Sequence, residues 1–199
     1  STNEKVAVET AAAGSFAGLR AFSAMKHAGL NVAMDFLLHL NYSEIGGGLV
    51  FVVCDDPQAR SSSDENDSRI VAKWANVPFL EPATVQEAKD ITKWAFELSE
   101  RMSCYCLVRS VSRLSHTRGS VRLGQVPTAE RKARLDTSRI FSTFPVVPKH
   151  LRAIEKLGQI QEVFETSPFN WYRGPESPEL IIVTAGSGWL CSWEAVKTL

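Results

Sequence analysis

Glu4 is the side chain best placed to do chemistry. It stands at the mouth of an Ala/Gly-rich stretch, Ser1 to Gly18, that reads as a helix. Further on comes Met25-Lys26-His27-Ala28-Gly29-Leu30-Asn31, which reads as a loop between apolar segments. A carboxylate brought beside such a loop can share a proton with a ligand nitrogen. Gly29 lets the backbone approach a ligand closely. His27 can hydrogen-bond a substrate carboxylate or a reaction intermediate, or simply a backbone group as a lone histidine often does, and Asn31 is expected to line the same pocket. A plainer reading stands beside this one. Ser1-Thr2-Asn3-Glu4 has the form of a capping box, and an acidic residue in a first turn suits the helix dipole.

A second group follows the apolar run Leu49 to Cys54. Asp55, Asp56, Ser61 and Ser62 come after what reads as a buried strand, and ligands gather at such strand ends. Arg109, Arg113, His116 and Arg118 form a positive cluster after a later strand, where arginines can clamp a carboxylate or a phosphate group; a solvated edge or an interface with another domain is the plainer reading. Strand alternation predicts Arg109, Val111 and Arg113 on one face. Asp64-Glu65-Asn66-Asp67 lacks the turn glycine and distal Glu of a calcium loop and reads as a helix N-terminus. No Cys-x-x-Cys pattern joins Cys54, Cys104, Cys106 and Cys191, and no metal ligand set is expected within the chain.

These groups need elements to hold them. Leu19 to Met25 reads as a short strand and Leu30 to Asn41 as a helix. Gly46-Gly47-Gly48 leads into Leu49 to Cys54, a continuous apolar run typical of a strand buried on both faces. Glu65 to Trp74 reads as helix and Pro78-Phe79-Leu80 as a short strand. Thr84-Val85-Gln86-Glu87 matches a capping box opening a helix to Met102. Cys104 to Val111 is a further strand. The alternation predicts an α/β fold, a parallel sheet flanked by helices, over residues 1–119. Residues 120–178, with Arg122, Arg131, Lys132, Arg134 and Arg139 among Pro127, Pro145 and Pro148, read as a connecting arm and linker containing a helix from His150 to Phe164. Glu179 to Thr184 and the run after Gly186-Ser187-Gly188 read as the first βα unit of a second α/β domain, so the chain is expected to be part of a longer protein.

Several blocks occur together in order: Asn3-Glu4-Lys5-Val6-Ala7, Met25-Lys26-His27-Ala28-Gly29-Leu30-Asn31, Gly47-Gly48-Leu49-Val50, Asp55-Asp56-Pro57, Ser61-Ser62, Glu65-Asn66-Asp67, Leu80-Glu81-Pro82 and Arg113-Leu114-Ser115-His116-Thr117-Arg118-Gly119. With these the chain resembles the α subunits of the indolepyruvate-type 2-oxoacid:ferredoxin oxidoreductases, a thiamine diphosphate-dependent family. The resemblance implies a pyrimidine-binding module in which the carboxylate matching Glu4 hydrogen-bonds the aminopyrimidine ring and acts in catalysis. It implies Glu4, His27, Gly29 and Asn31 as cofactor-binding residues, and His27, Asp55, Ser61, Ser62 and Arg113 as substrate-binding residues. The implied reaction is oxidative decarboxylation of an aryl 2-oxo acid to an acyl-coenzyme A, with ferredoxin taking the electrons. Pyruvate-using relatives carry an arginine near the place of Asp55, so a pyruvate pocket is not expected. Magnesium and 4Fe-4S clusters are expected from regions outside this chain, and the other α-subunit domains and a β subunit are expected partners. Two alternatives are a subunit of another thiamine-dependent decarboxylase and a non-catalytic interaction module with the same fold.

Composition sets the remaining bounds. Of 199 residues, 22 are Lys or Arg and 22 are Asp or Glu. This balance gives no electrostatic reason to expect nucleic acid or an anionic membrane as partner. No apolar run approaches the roughly 20 residues that span a bilayer. The cysteines read as small buried hydrophobes, which suits a reducing cytoplasm.

Overall fold

The computed structural model describes residues 2–125, 130–139 and 141–198. Ser1 of the expected capping box lies outside them. Helix α1 (Glu4–Phe16) is capped instead by Asn3, whose Oδ1 accepts from the Val6 N–H at 3.1 Å. Gly18 ends it with φ +80°, a conformation only glycine adopts without strain, while Gly18 and Leu19 donate back to Ser15 and Gly14.

Strand β1 (Ala21–Lys26) runs directly into α2 (His27–Ser43). The expected loop at His27 to Asn31 is therefore the opening turn of a helix. No breaker precedes His27, and the good helix formers Ala28, Leu30, Ala33 and Met34 carry the helix across Gly29. Strand β2 (Leu49–Asp55) and α3 (Ser68–Ala75) follow, the helix capped by Asp67, which accepts from the Arg69 N–H. Strand β3 is only Phe79–Leu80. Helix α4 (Val85–Met102) opens on the expected box: Thr84 Oγ1 accepts from the Glu87 N–H at 3.2 Å, and the Glu87 carboxylate accepts from the Ala83 N–H at 2.8 Å. Strand β4 (Cys106–Val111), the short α5 (Ser112–Ser115), α6 (Val146–Glu165) and α7 (Gly188–Val196) complete the order.

The four strands form one parallel sheet in the order β1-β2-β4-β3, the α/β architecture expected. Its two faces carry separate apolar clusters. On one, Leu49, Phe51, Val53, Tyr105 and Leu107 meet α1, α2 and α3; on the other, Val50, Cys106 and Val108 meet α4 and α6. Cys104 and Cys106 share that second face, and burial pushes the Cys104 thiol up to about 12, which leaves it inert. Glycines 46–48 thread the chain tightly past α1: the Gly47 N–H donates to Ser15 O at 2.7 Å, and Ser15 Oγ donates to Gly47 O at 2.6 Å.

The arm lies against this body. Arg131 pairs with Glu100 at 2.6 Å, the Arg134 N–H donates to Ala17 O, and Arg139 donates to Ile45 O. Helix α6 is tied to the end of α2 by Lys156 and Arg152, each 3.3 Å from Glu44. The strand expected at Glu179–Thr184 does not form. A strand exists only by pairing, and these residues have no neighbouring strand: Leu180 is 74% and Val183 92% exposed. No helix of the described residues is long and apolar enough to cross a membrane.

Candidate active site

In a parallel sheet every strand delivers its carboxyl end to the same edge, so residues far apart in sequence converge there. At β1 that edge is the first turn of α2. Glu4, at the start of α1, lays its side chain across this turn. A Cβ added at Gly29 would stand 2.8 Å from Glu4 Oε1 and 2.7 Å from its Cδ, so the missing side chain of Gly29 is the space the carboxylate occupies. Glu4 is half-buried.

His27 opens the same turn and is 1% exposed. Its Nε2 lies 3.2 Å from Asp64 Oδ1, while its Nδ1 is buried with no hydrogen-bond partner among the described residues. A buried polar atom left unpaired costs on the order of 1–3 kcal/mol, so a ligand or an ordered water that pairs with it is favoured there. The N–H groups of this turn have no side-chain cap, because Lys26 holds the cap position. Asn31 follows in the helix but is exposed.

At β2 the expected substrate residues separate into two roles. Asp55 is buried, and its Oδ2 accepts from Arg109 Nε at 2.5 Å and from the Ser68 N–H and Oγ at 3.1 and 2.9 Å. Arg109 also reaches Glu81 at 3.1 Å, and Glu81 holds Arg69 through two bonds of 2.6 and 3.1 Å. Asp55 therefore joins β2 to β4 and to α3 from inside, and its side chain, with 0% exposure, does not line the open cleft. Asp56 closes a turn: Oδ2 accepts from the Ser61 N–H at 2.7 Å and Oδ1 from Ser112 Oγ at 2.5 Å. The Ser112 hydroxyl, then the Ser61 N–H, with the Ser62 hydroxyl adding to them, hold the Asp56 carboxyl down at about 2. Ser61 and Ser62 thus shape the loop after β2.

Beside that loop is an open cleft of about 1020 Å³. Ser61, Asn66, Arg69, Arg109, Arg113 and His116 are among the residues lining it, with Gly186 to Gly188 closing one side. Arg113 sits on α5 and not on the strand, so it does not share a strand face with Arg109 as alternation predicted. The chain turns into a helix at Ser112, which swings Arg113 outward to the cleft while Arg109 stays paired inside. Among the described residues no group of three or more His, Cys, Asp or Glu side chains is arranged to hold a metal ion.

The structure thus brings Glu4, His27 and Gly29 to one turn and Ser61 and Arg113 to a neighbouring cleft. Asp64 joins the two places, and sequence reasoning missed it. An acid a few residues before a helix reads as part of the helix start, and nothing local shows that its partner is a histidine 37 positions back.

No protein-family model matches the chain. It is similar along its whole length to curated proteins named indolepyruvate oxidoreductase subunit IorA. Identity is 46% with the protein of Pyrococcus horikoshii, 45% with that of Pyrococcus abyssi and 44% with that of Thermococcus kodakarensis, each over 211 aligned positions. The alignments take in 100% of this chain and 32% of each relative, so the chain spans about a third of their length. The family resemblance read from the sequence holds: the chain is homologous to these oxidoreductase subunits from end to end.

Proposed function

We propose that this homologue of the indolepyruvate oxidoreductase subunits supplies the pyrimidine-binding half of a thiamine diphosphate site. The enzyme to which it contributes oxidatively decarboxylates aryl 2-oxo acids such as indolepyruvate, passing the acyl group to coenzyme A and the electrons to ferredoxin. One observation carries the reading: the Glu4 carboxylate rests on side-chain-free Gly29, in the turn where His27 keeps a buried, unpartnered Nδ1. The homology to oxidoreductase subunits supports it.

The residues fit an aminopyrimidine. Glu4 offers an acceptor or a shared proton to a ring nitrogen, Gly29 leaves room for the Glu4 carboxylate itself, and His27 offers the second polar contact. When bound, thiamine diphosphate supplies the nucleophilic carbon and the electron sink for decarboxylation. This chain's own part is positional. Glu4 holds a proton at the ring nitrogen, and Asp55 with Arg109 keeps the β2 and β4 ends in register so that the cleft beside them stays formed. Arg113, exposed at the cleft, is the residue proposed to meet the carboxylate of the oxo acid or a coenzyme A phosphate. The cofactor's diphosphate, its magnesium and the 4Fe-4S clusters are assigned to other parts of the enzyme, and the assembly is proposed to be cytoplasmic.

The test is Glu4→Gln in the full-length enzyme with its partner subunits. A proton-handling role predicts a loss of kcat of about 100-fold or more, with cofactor affinity reduced by less than about tenfold. Unchanged turnover removes Glu4 from the mechanism. Indolepyruvate, phenylpyruvate and pyruvate assayed side by side test the substrate class, and a clear preference for pyruvate overturns the aryl assignment.

A further inference from the structure

We infer that Asp64 is a positioning residue that fixes the tautomer of His27, so that His27 Nδ1 meets the bound ligand as a hydrogen-bond acceptor. This rests on the proposed reading of the turn as a ligand site and deepens it by naming the chemistry the ligand must present: an N–H or O–H donor.

The argument is one of hydrogen-bond supply. Asp64 uses both carboxylate oxygens as acceptors, Oδ1 toward His27 Nε2 at 3.2 Å and Oδ2 toward Asn66 Nδ2 at 2.7 Å. An ionised carboxylate has no proton to give, so the proton between it and the imidazole belongs to Nε2. In a neutral imidazole the other nitrogen is then a lone-pair acceptor. That nitrogen is Nδ1, which lies on the opposite side of the ring, is buried, and has no partner among the described residues. Asn66 orients Asp64, Asp64 orients His27, and His27 offers one fixed acceptor in the turn on which Glu4 rests. Glu4 and His27 Nδ1 would then meet the ligand at two polar positions. The exocyclic amino group of an aminopyrimidine is a donor of the required kind.

Two substitutions separate this role from simple packing. Asp64→Asn keeps an acceptor oxygen for Nε2, and the exposed Asn66 can turn its own amide to match. Asp64→Lys places a donor against Nε2 and so drives the proton to Nδ1. The Asp64 side chain is 41% exposed, so either replacement can be accommodated. The first readout is the nitrogen spectrum of the full-length enzyme labelled with 15N in histidine, with His27→Gln as the assignment control. The expected result is a pyridine-type Nδ1 and pyrrole-type Nε2 for His27 in the native protein and in Asp64→Asn, inverted in Asp64→Lys, with the other histidine signals unchanged as the check on folding. Two protonated nitrogens in the native protein, or the same tautomer in Asp64→Lys, overturns the inference.

The second readout is thiamine diphosphate affinity in the full-length enzyme, expected within about threefold of native for Asp64→Asn and weaker by about tenfold for Asp64→Lys, the effect of one such bond. Equal affinity in Asp64→Lys also overturns it. If the native enzyme binds no thiamine diphosphate while the nitrogen spectrum is as expected, the functional reading fails and the tautomer assignment stands.

Discussion

Arg109 on β4 donates to Asp55 at the end of β2 across 2.5 Å, inside the protein, with side-chain exposures of 8% and 0%. Asp55 read from sequence as a substrate contact is thus committed to the fold. Removing one member of a buried pair leaves the other charged and unpaired, at a cost of about 3–5 kcal/mol. Arg109→Met is therefore expected to lower the urea midpoint by an amount matching a loss of that size, with or without substrate. A midpoint within experimental error of the native protein would refute the structural role of the pair.

Glu100 links three parts of the chain: it takes Arg20 through two bonds of 3.0 and 2.8 Å and Arg131 of the arm at 2.6 Å. The Arg20 hydrogen bond outweighs burial, and Arg131 adds to it, holding the carboxyl at about 2 against an ordinary 4.5. A depressed carboxylate stabilises the fold fully above its unfolded value and loses that contribution as pH falls through its folded value. Stability from this site is therefore expected to be present above about pH 4.5 and to disappear by about pH 2. With both partners partly exposed, about 1 kcal/mol is the expected size. Glu100→Gln should be less stable than native at pH 7, and the two should converge near pH 2. Parallel curves across that range would show that the ion pairs contribute nothing.

Gly47 passes α1 so closely that an added Cβ would come within 2.6 Å of the Leu19 carbonyl carbon and 2.8 Å of the Gly18 carbonyl carbon. Both obstacles are backbone, held by the Gly18 turn, and cannot swing aside as a side chain would. Gly47→Ala is expected to cost about 1–3 kcal/mol or more and to lower the melting temperature. An unchanged melting temperature would refute the tight crossing at Gly47.

The sheet was legible because its signals are local: the apolar run at Leu49, the Thr84–Glu87 box and the αL glycine at Gly18 each declare themselves within a few residues. Two failures have a shared cause. His27 was placed in a loop because Gly29 reads as a breaker, yet helix continuation is decided by the residues on both sides of a glycine. Glu179–Thr184 was read as a strand from its β-branched apolar run, yet a strand needs a partner that no local pattern reports. The site was legible in its types and not in its roles. Glu4, His27 and Gly29 stand at one turn, while Asp55 turns inward to Arg109 and Asp64 reaches in from the surface to the buried His27. Both are decided by long-range pairing, 54 and 37 positions apart.

Gly29→Ala isolates the Glu4 contact from the fold. Alanine is the better helix former by about 1 kcal/mol, and Gly29 sits in the first turn of α2, so local stability should hold or rise. The atoms that a methyl group would meet are the Cγ, Cδ and Oε1 of Glu4, the far end of a flexible side chain and not backbone. The conflict is therefore relieved by moving the carboxylate, at little cost to folding. A proton-sharing group displaced by about 1 Å is expected to lose on the order of 100-fold in rate. If the proposed function holds, the full-length enzyme carrying this substitution should melt at or above the native temperature yet turn over about 100-fold more slowly, the loss also expected of Glu4→Gln, and the two substitutions together should cost little more than either alone. A stable Gly29→Ala protein with native turnover would show that the position of the Glu4 carboxylate against α2 does not matter to the reaction.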